Sequence, residues 1–230
     1  MQDKFDPKKR FNERAKVYDA DILKIIPGYK ALHDDAVNLL ETSLPEDAYV
    51  LIAGVGTGNE SIEFAARNPG WRVTGFDIAE NMIETTEAKV KKYGLEERIE
   101  LVHGGIDEVL QESFDAAAAM LVMHFISYKE KLNFLNGISF RLNPGAKLIV
   151  ADIMGDRKSP KFDELLTAWE AYQMETREPD DVAETIKHTV NDLDILSHEE
   201  LLALLEKTGF TNAFLFWKSL VFSAYIAEKE

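Results

Sequence analysis

The stretch Val50-Leu51-Ile52-Ala53-Gly54-Val55-Gly56-Thr57-Gly58 decides how this chain reads. An apolar run leads into three glycines at alternate positions. A second β-like run, Trp71-Arg72-Val73-Thr74-Gly75-Phe76, then ends in Asp77. That carboxylate follows the glycines by about 20 residues, the separation at which the acidic residue of a nucleotide-binding βαβ unit meets a ribose. Glycine suits such a turn because a side chain would hold the backbone away from a ligand, and because the turn can require positive φ. Together the loop and the carboxylate predict a site for an adenosine-type cofactor.

The third glycine narrows the choice. A dinucleotide fingerprint, G-x-G-x-x-G, requires glycine at position 59. Asn59 stands there, and the glycine sits one place earlier. No lysine follows the glycines, which excludes the phosphate-binding G-x-x-x-x-G-K-[ST] loop. The form Gly54-x-Gly56-x-Gly58, with Asp77 opening Asp77-Ile78-Ala79-Glu80-Asn81-Met82-Ile83, resembles the class I S-adenosylmethionine (SAM) methyltransferases. The resemblance runs over residues 45–152. It implies SAM as cofactor and S-adenosylhomocysteine as product, the glycine loop facing the methionine part and Asp77 the ribose. A tight strand-to-helix turn without a ligand is the plain alternative. The agreement in order of the motif, Asp77 and the later segments favours the site.

Composition bounds the rest. The 230 residues are 46% hydrophobic and 29% charged, enough for one well-buried α/β core. The formal net charge of −15 makes nucleic acid and anionic lipid poor partners. There is no cysteine, hence no disulfide and no zinc-thiolate site. The run 116–126 is too short for a membrane helix, which takes ~20 residues. The stretch Met1–Arg10 lacks the apolar core of a signal peptide. A cytoplasmic protein is expected. A homodimer is left open.

Strand-like and helix-like segments alternate, as in a parallel sheet with crossover helices. Strands are predicted at 48–53, 71–76, 98–103, 114–122 and 147–151. Helices are predicted at 61–67, 80–93 and 129–142. Residues 156–196 interrupt the rhythm with helical stretches at 162–172 and 182–189. Ser197-His198-Glu199-Glu200 is a capping box for another helix. The segments 210–217 and 220–227 read as a hairpin turning at Lys218-Ser219. At the other end, 11–26 and 29–40 read as two helices split by Pro27-Gly28. The expected architecture is a Rossmann-like seven-stranded sheet, mostly parallel with an antiparallel last strand, in one domain. An N-terminal helical cap (1–44) precedes a cofactor-binding core (45–155), a helical insertion (156–196) and a last helix with closing hairpin (197–230). Ligands in such sheets bind at the carboxyl ends of the strands, where the strand order reverses. The expected cofactor-binding set is Tyr29, Gly54, Val55, Gly56, Gly58, Asp77, Ile78, Met82, Gly105, Ile106 and Met120.

The chain departs from the family pattern at two places. Where the family has an acidic residue two places before the first glycine, this chain has Ile52. Where the family has Asp after the third strand, it has Gly105, with Asp107 close by. A narrower similarity links Arg10-Phe11-Asn12-Glu13-Arg14-Ala15, Ile26-Pro27-Gly28-Tyr29 and Leu215-Phe216-Trp217 to the carboxy-SAM synthases of tRNA wobble-uridine modification. It implies that Tyr29 touches the cofactor; packing on the core is the alternative. The arginine that binds the extra carboxylate in that family falls on Ile186, beside Lys187 and His188, and the family's asparagine falls on Met120. Both losses argue against carboxy-SAM chemistry. A non-catalytic SAM-binding protein on the same fold is a third reading.

The remaining site residues concern the acceptor. His124 follows the fourth strand, and histidine is the side chain whose ordinary pKa suits a general base near neutrality. A packed or capping role is its alternative. Trp169 and Tyr172 either wall the acceptor or form the core face of their helix. The five histidines show no i, i+4 metal pair, and no metal is expected. Between Asp163 and Glu206 the chain carries thirteen acidic and two basic residues. Either this is a solvated face, or it sets a negative potential at the acceptor mouth and favours a neutral or amine-bearing small molecule over tRNA.

Overall fold

The computed structural model describes residues 6–230; residues 1–5, part of the stretch tested for a signal peptide, lie outside them. Seven strands form one sheet: β1 (Tyr49–Ala53), β2 (Arg72–Asp77), β3 (Ile99–His103), β4 (Phe114–Met120), β5 (Leu142–Ile153), β6 (Phe210–Ser219) and β7 (Phe222–Lys229). Their order is β3-β2-β1-β4-β5-β7-β6. All pair parallel up to β5, and β7 runs antiparallel between β5 and β6. The order reverses between β1 and β4, and the crevice opens there.

Side chains alternate along the central strands, so each strand feeds two cores. Val50, Ile52, Ala116, Ala118 and Ile149 face one layer with α3 (Tyr29–Glu41) and α4 (Asn59–Arg67). Leu51, Ala53, Ala117, Ala119 and Leu148 face the other with α6 (Tyr128–Arg141) and α9 (His198–Lys207). The four alanines of β4 let both layers approach closely in mid-sheet. Helix α5 (Glu80–Tyr93) lies where predicted, ended by Gly94 in the left-handed region. The capping box opens α9 as expected, with Glu200 N donating to Ser197 Oγ at 3.1 Å and Ser197 N to Glu200 Oε2 at 2.8 Å.

Several elements differ from the sequence reading, among them β5, which begins at Leu142 rather than 147. The single helix expected over 11–26 is two, α1 (Pro7–Arg14) and α2 (Tyr18–Ile25). Its apolar residues serve two surfaces: Ala15 and Phe11 pack with Ala79 and Met82, whereas Ile22 and Ile26 pack with the insertion. A straight helix cannot reach both. The closing hairpin turns at Leu220-Val221 rather than Lys218-Ser219, with Leu220 at φ +49° and Val221 fully buried. The insertion supplies α7 (Pro160–Met174) and α8 (Pro179–Asn191). Trp169 fastens α7 to the N-terminal cap: its Nε1 donates to the Ile25 carbonyl at 2.6 Å, and Tyr172 donates to the Leu23 carbonyl at 3.2 Å.

Strand β4 stops at Met120, two residues earlier than expected, because Leu121 takes φ +63° and redirects the chain into the crevice. This brings Val122 over the glycine loop. A Cβ on Gly54, at φ +76°, would lie 2.3 Å from Val122 Cγ2. Gly54→Ala therefore meets both a clash and a strained backbone, and should destabilise the protein by about 2–4 kcal/mol in urea unfolding. Adding Val122→Ala should recover the packing part alone. Full recovery would show that the backbone conformation carries no cost.

Candidate active site

The loop after β1 forms one wall of a cavity of about 200 Å³ at the switch point. The loop is pinned from both sides. Gly54 N and Val55 N donate to the Phe76 carbonyl at 2.9 Å each. Asp77 Oδ2 accepts from Gly56 N and Oδ1 from Ala79 N, both at 2.9 Å. Burial pushes the Asp77 carboxyl up, and these two N–H groups pull it back. The carboxylate is thus a structural clamp as well as a ligand candidate, with lone pairs left over for vicinal hydroxyls.

Ten of the eleven expected cofactor residues line this cavity: Tyr29, Gly54, Val55, Gly56, Asp77, Ile78, Met82, Gly105, Ile106 and Met120. Gly58 does not. It caps α4 at φ +80°, and a Cβ there would strike Thr86 Cγ2 at 2.5 Å, so its glycine serves the turn and helix packing. Gly56 differs: at φ +54° a Cβ would meet no atom closer than 4.0 Å and would project into open space. That is a cradle left clear for a ligand.

Around the loop, Asn59 donates to Tyr29 Oη at 3.3 Å and to Asp19 Oδ1 at 3.1 Å, and Lys89 donates to Asn59 Oδ1 at 2.9 Å. Ile52, where the family has an acid, is a core residue. Glu60, eight residues later on the first turn of α4, lines the cavity instead. Sequence reasoning missed it; its signal was an acidic residue directly after the glycine loop. His33 Nε2 lies 3.6 Å from Glu60 Oε1. Burial lowers His33 to about 4 and raises Glu60 to about 7, so the pair is not an ion pair in slightly acid solution.

A second cavity, of about 110 Å³, adjoins the first. Phe11, Tyr18, Leu121 and Phe125 line both. Phe11 meets Phe125 edge-on at 5.0 Å and Tyr18 at 6.2 Å. His124 lines the second cavity, with Nδ1 hydrogen-bonded to Asp152 Oδ1 behind it. Asp152 Oδ2 accepts His124 N at 2.9 Å, and Oδ1 accepts Ile153 N at 2.8 Å. Asp152 is 28 positions away in sequence and was not anticipated. Trp169 also lines this cavity, as does Arg177, but Tyr172 and Ile186 do not. None of the thirteen acidic residues of the insertion segment lines either cavity. Asp181, Glu184 and Asp192 of that segment nevertheless act on Arg10 and Arg177 of the second lining from beside it.

Residues 50–145 match a family described as methyltransferase domain. Over 231 residues, spanning 99% of this chain and 97% of the relative, the chain is 26% identical to the carboxy-S-adenosyl-L-methionine synthase of Campylobacter jejuni subsp. jejuni serotype O:2. Among solved structures it resembles a putative O-methyltransferase from Nostoc punctiforme, with TM-score 0.70, 17% identity and 95% of this chain covered. The chain spans 60% of that structure's length. It also resembles human N-acetylserotonin methyltransferase in complex with SAM, with TM-score 0.59 and 20% identity over 87% of this chain and 54% of that one. The fold is that of the class I methyltransferases, and the domain match and the relatives support a SAM-dependent enzyme. Within that class its likeness to carboxy-SAM synthases extends along almost the whole chain. No helix among the described residues is long and apolar enough to cross a membrane.

The raised Glu60 carboxyl has a consequence for stability. The folded state holds a proton that the unfolded state releases above about pH 4.5, so Glu60 costs stability as pH rises from there to about 7. Glu60→Gln removes that cost. Its stability relative to wild type should grow between pH 5 and 8, by at most about 3 kcal/mol, in urea titrations at each pH. A pH-independent difference would show that Glu60 ionises normally.

Proposed function

We propose that the protein transfers a methyl group from SAM to a small molecule held in the second cavity. The observation that carries this reading is the meeting of the two cavities at Phe11, Tyr18, Leu121 and Phe125, with the glycine loop and Asp77 on one side and His124 on the other. When bound, SAM supplies an electrophilic methyl on a sulfonium that departs as a neutral thioether. The chain's residues then have defined tasks. Asp77 accepts hydrogen bonds from the ribose hydroxyls, and Gly105 and Ile106 border the adenine. Glu60 faces the amino group of the methionine part in place of the acid absent at Ile52. Asp152 holds His124 Nδ1–H, which leaves Nε2 to take the acceptor's proton as the methyl arrives. The aromatic boundary excludes water and aligns the donor with the acceptor, which is the main requirement for in-line transfer.

A second reading, carboxy-SAM synthesis, has its own support in the near full-length similarity to the Campylobacter synthase. Against it, Ile186 and Met120 occupy the places where that resemblance implies arginine and asparagine. Mass spectrometry of the small molecule that leaves with the purified protein separates the two. SAM or S-adenosylhomocysteine is expected, and carboxy-SAM would overturn the methyl-transfer reading.

Two variants test the assignment of residues. Asp77→Ala should weaken S-adenosylhomocysteine binding at least tenfold in calorimetry, since each hydrogen bond to a charged group is worth about 1.5–3 kcal/mol. Because Asp77 also clamps Gly56, Asp77→Asn is the companion variant; native affinity in both would remove the ribose role. His124→Asn should slow transfer of labelled methyl by roughly 10²–10⁴ with unchanged S-adenosylhomocysteine affinity. An unchanged rate would return His124 to a packing role.

A further inference from the structure

Lys131 is a fully buried charge that the proposed chemistry leaves unused. It ends the first turn of α6 and is 0% exposed. That position is unfavourable in itself. Lysine is almost never fully buried unless paired, and a cation opposes the positive end of the helix dipole. Burial lowers the Lys131 pKa, with Asp152, Asp194 and Glu200 acting to raise it and Arg157 to lower it. The ammonium reaches back past the start of its own helix. Nζ donates to the Met123 carbonyl at 2.7 Å and to the Ile126 carbonyl. These two carbonyls bracket His124 and Phe125 in the short 3-10 turn Met123–Phe125.

The turn is held by its surroundings as well as by its own backbone. Within it, Phe125 N donates to the Val122 carbonyl and Ile126 N to the Met123 carbonyl, each at 3.0 Å. From β5, Asp152 accepts His124 N and bonds the ring at Nδ1. From the chain beyond α8, Asp194 N donates to the His124 carbonyl at 3.0 Å. Lys131, Asp152 and Asp194 line one small cavity together with Met123. An ammonium has three donors and no acceptor, so one side chain can tie both flanking carbonyls at once. We infer that Lys131 is a positioning residue: its ammonium holds the carbonyls on either side of His124 and Phe125, and so sets the His124 ring against Asp152. A misplacement of ~1 Å far from the chemistry can cost ~10²-fold in rate, which gives a buried charge a use at this turn. The inference deepens the proposed methyl transfer and rests on it for the role of His124; the contacts of Lys131 stand without it.

The test reads the His124 ring directly and needs neither cofactor nor acceptor. Long-range proton–nitrogen NMR of histidine-labelled protein shows which ring nitrogen carries the proton, and His124→Asn identifies the signal. In the wild type the proton should sit on Nδ1, facing Asp152. Lys131→Met should lose this single tautomer. Lys131→Arg, which keeps a cation with several donors, should retain it. Thermal unfolding followed by circular dichroism reports whether each variant folds. A folded Lys131→Met with wild-type His124 signals overturns the inference, and so does loss of the tautomer in a folded Lys131→Arg. Failure of both variants to fold makes Lys131 a stability residue and overturns it too. A further check uses the wild type alone: the Lys131 ammonium should give a nitrogen signal protected from exchange at neutral pH, and its absence would remove the two carbonyl bonds. A wild-type His124 with its proton on Nε2 would refute the proposed general base, and the response of that tautomer to Lys131→Met would still decide the role of Lys131.

Discussion

The site depends on how the ends of β1 and β2 are tied together. Phe76 offers one carbonyl to two successive amides of the glycine loop, and Asp77 offers one carboxylate to Gly56 and Ala79. Three hydrogen bonds therefore hold a turn that contains three left-handed glycines, and the fourth, from Ala79 N, orients Asp77. Without them the loop would lose its shape, because glycine has more backbone freedom to lose than any other residue. Placing Asp77 by this clamp also places its remaining lone pairs. The group that builds the site and the group that meets the ribose, as proposed, are one carboxylate. The loop after β4 then closes the other side. Leu121 turns left-handed, and Val122 fills the space that a side chain at position 54 would need. The reversal of strand order becomes a walled crevice because both loops lean into it.

The acidic segment and the arginines of the second cavity act on one another. The chain carries a formal net charge of −15, and the insertion segment is strongly acidic. Among the described residues, the lining of the second cavity carries Arg10, Arg14 and Arg177 with Asp21, and Asp181, Glu184 and Asp192 of the acidic segment act on these arginines from beside it. An acidic exterior acts on long-range association, disfavouring polyanions in general. Its field at a small, partly enclosed cavity is weaker than that of charges on the cavity wall.

What was legible in the sequence was local. Gly94 marked the end of α5, and Ser197 with Glu200 the start of α9. The glycine loop and Asp77 were legible because both ends of that interaction sit in one βαβ unit. The His124–Asp152 pair was not, since it joins residues on two strands' ends with a helix between them. The arginine cluster was still less so: Arg10 and Arg177 meet because α1 and the insertion fold over the same edge of the sheet. The break between α1 and α2 has no mark in the sequence, because either helix alone satisfies the periodicity. What separates them is that Ala15 packs on α5 and Ile22 on the insertion. Gly58 was assigned to the ligand by its motif position, whereas the pressure on it comes from Thr86 on α5.

The replacement of the family's acid by Ile52 follows the same logic of environment. Position 52 lies in an apolar core of the sheet, where Ile52 is 2% exposed. Position 60 begins α4, where the amides of the first turn and the helix dipole favour negative charge. Burial still outweighs them, and the Glu60 carboxyl stands at about 7. A cation beside it lowers that value again. Capture of an ammonium group by Glu60, as proposed for the methionine end of SAM, therefore releases a proton near neutral pH. The free energy of that ionisation is drawn from binding, so affinity should fall with pH below about 7, whereas an acid held ionised at all physiological pH would show no such dependence. Tyr18, Tyr29 and His33 around the carboxyl are neutral near pH 7, their pKa values shifted by burial. Lys89 and Asp19 oppose one another in an ion pair. Glu60 is thus the group around this cavity whose charge is set by what binds.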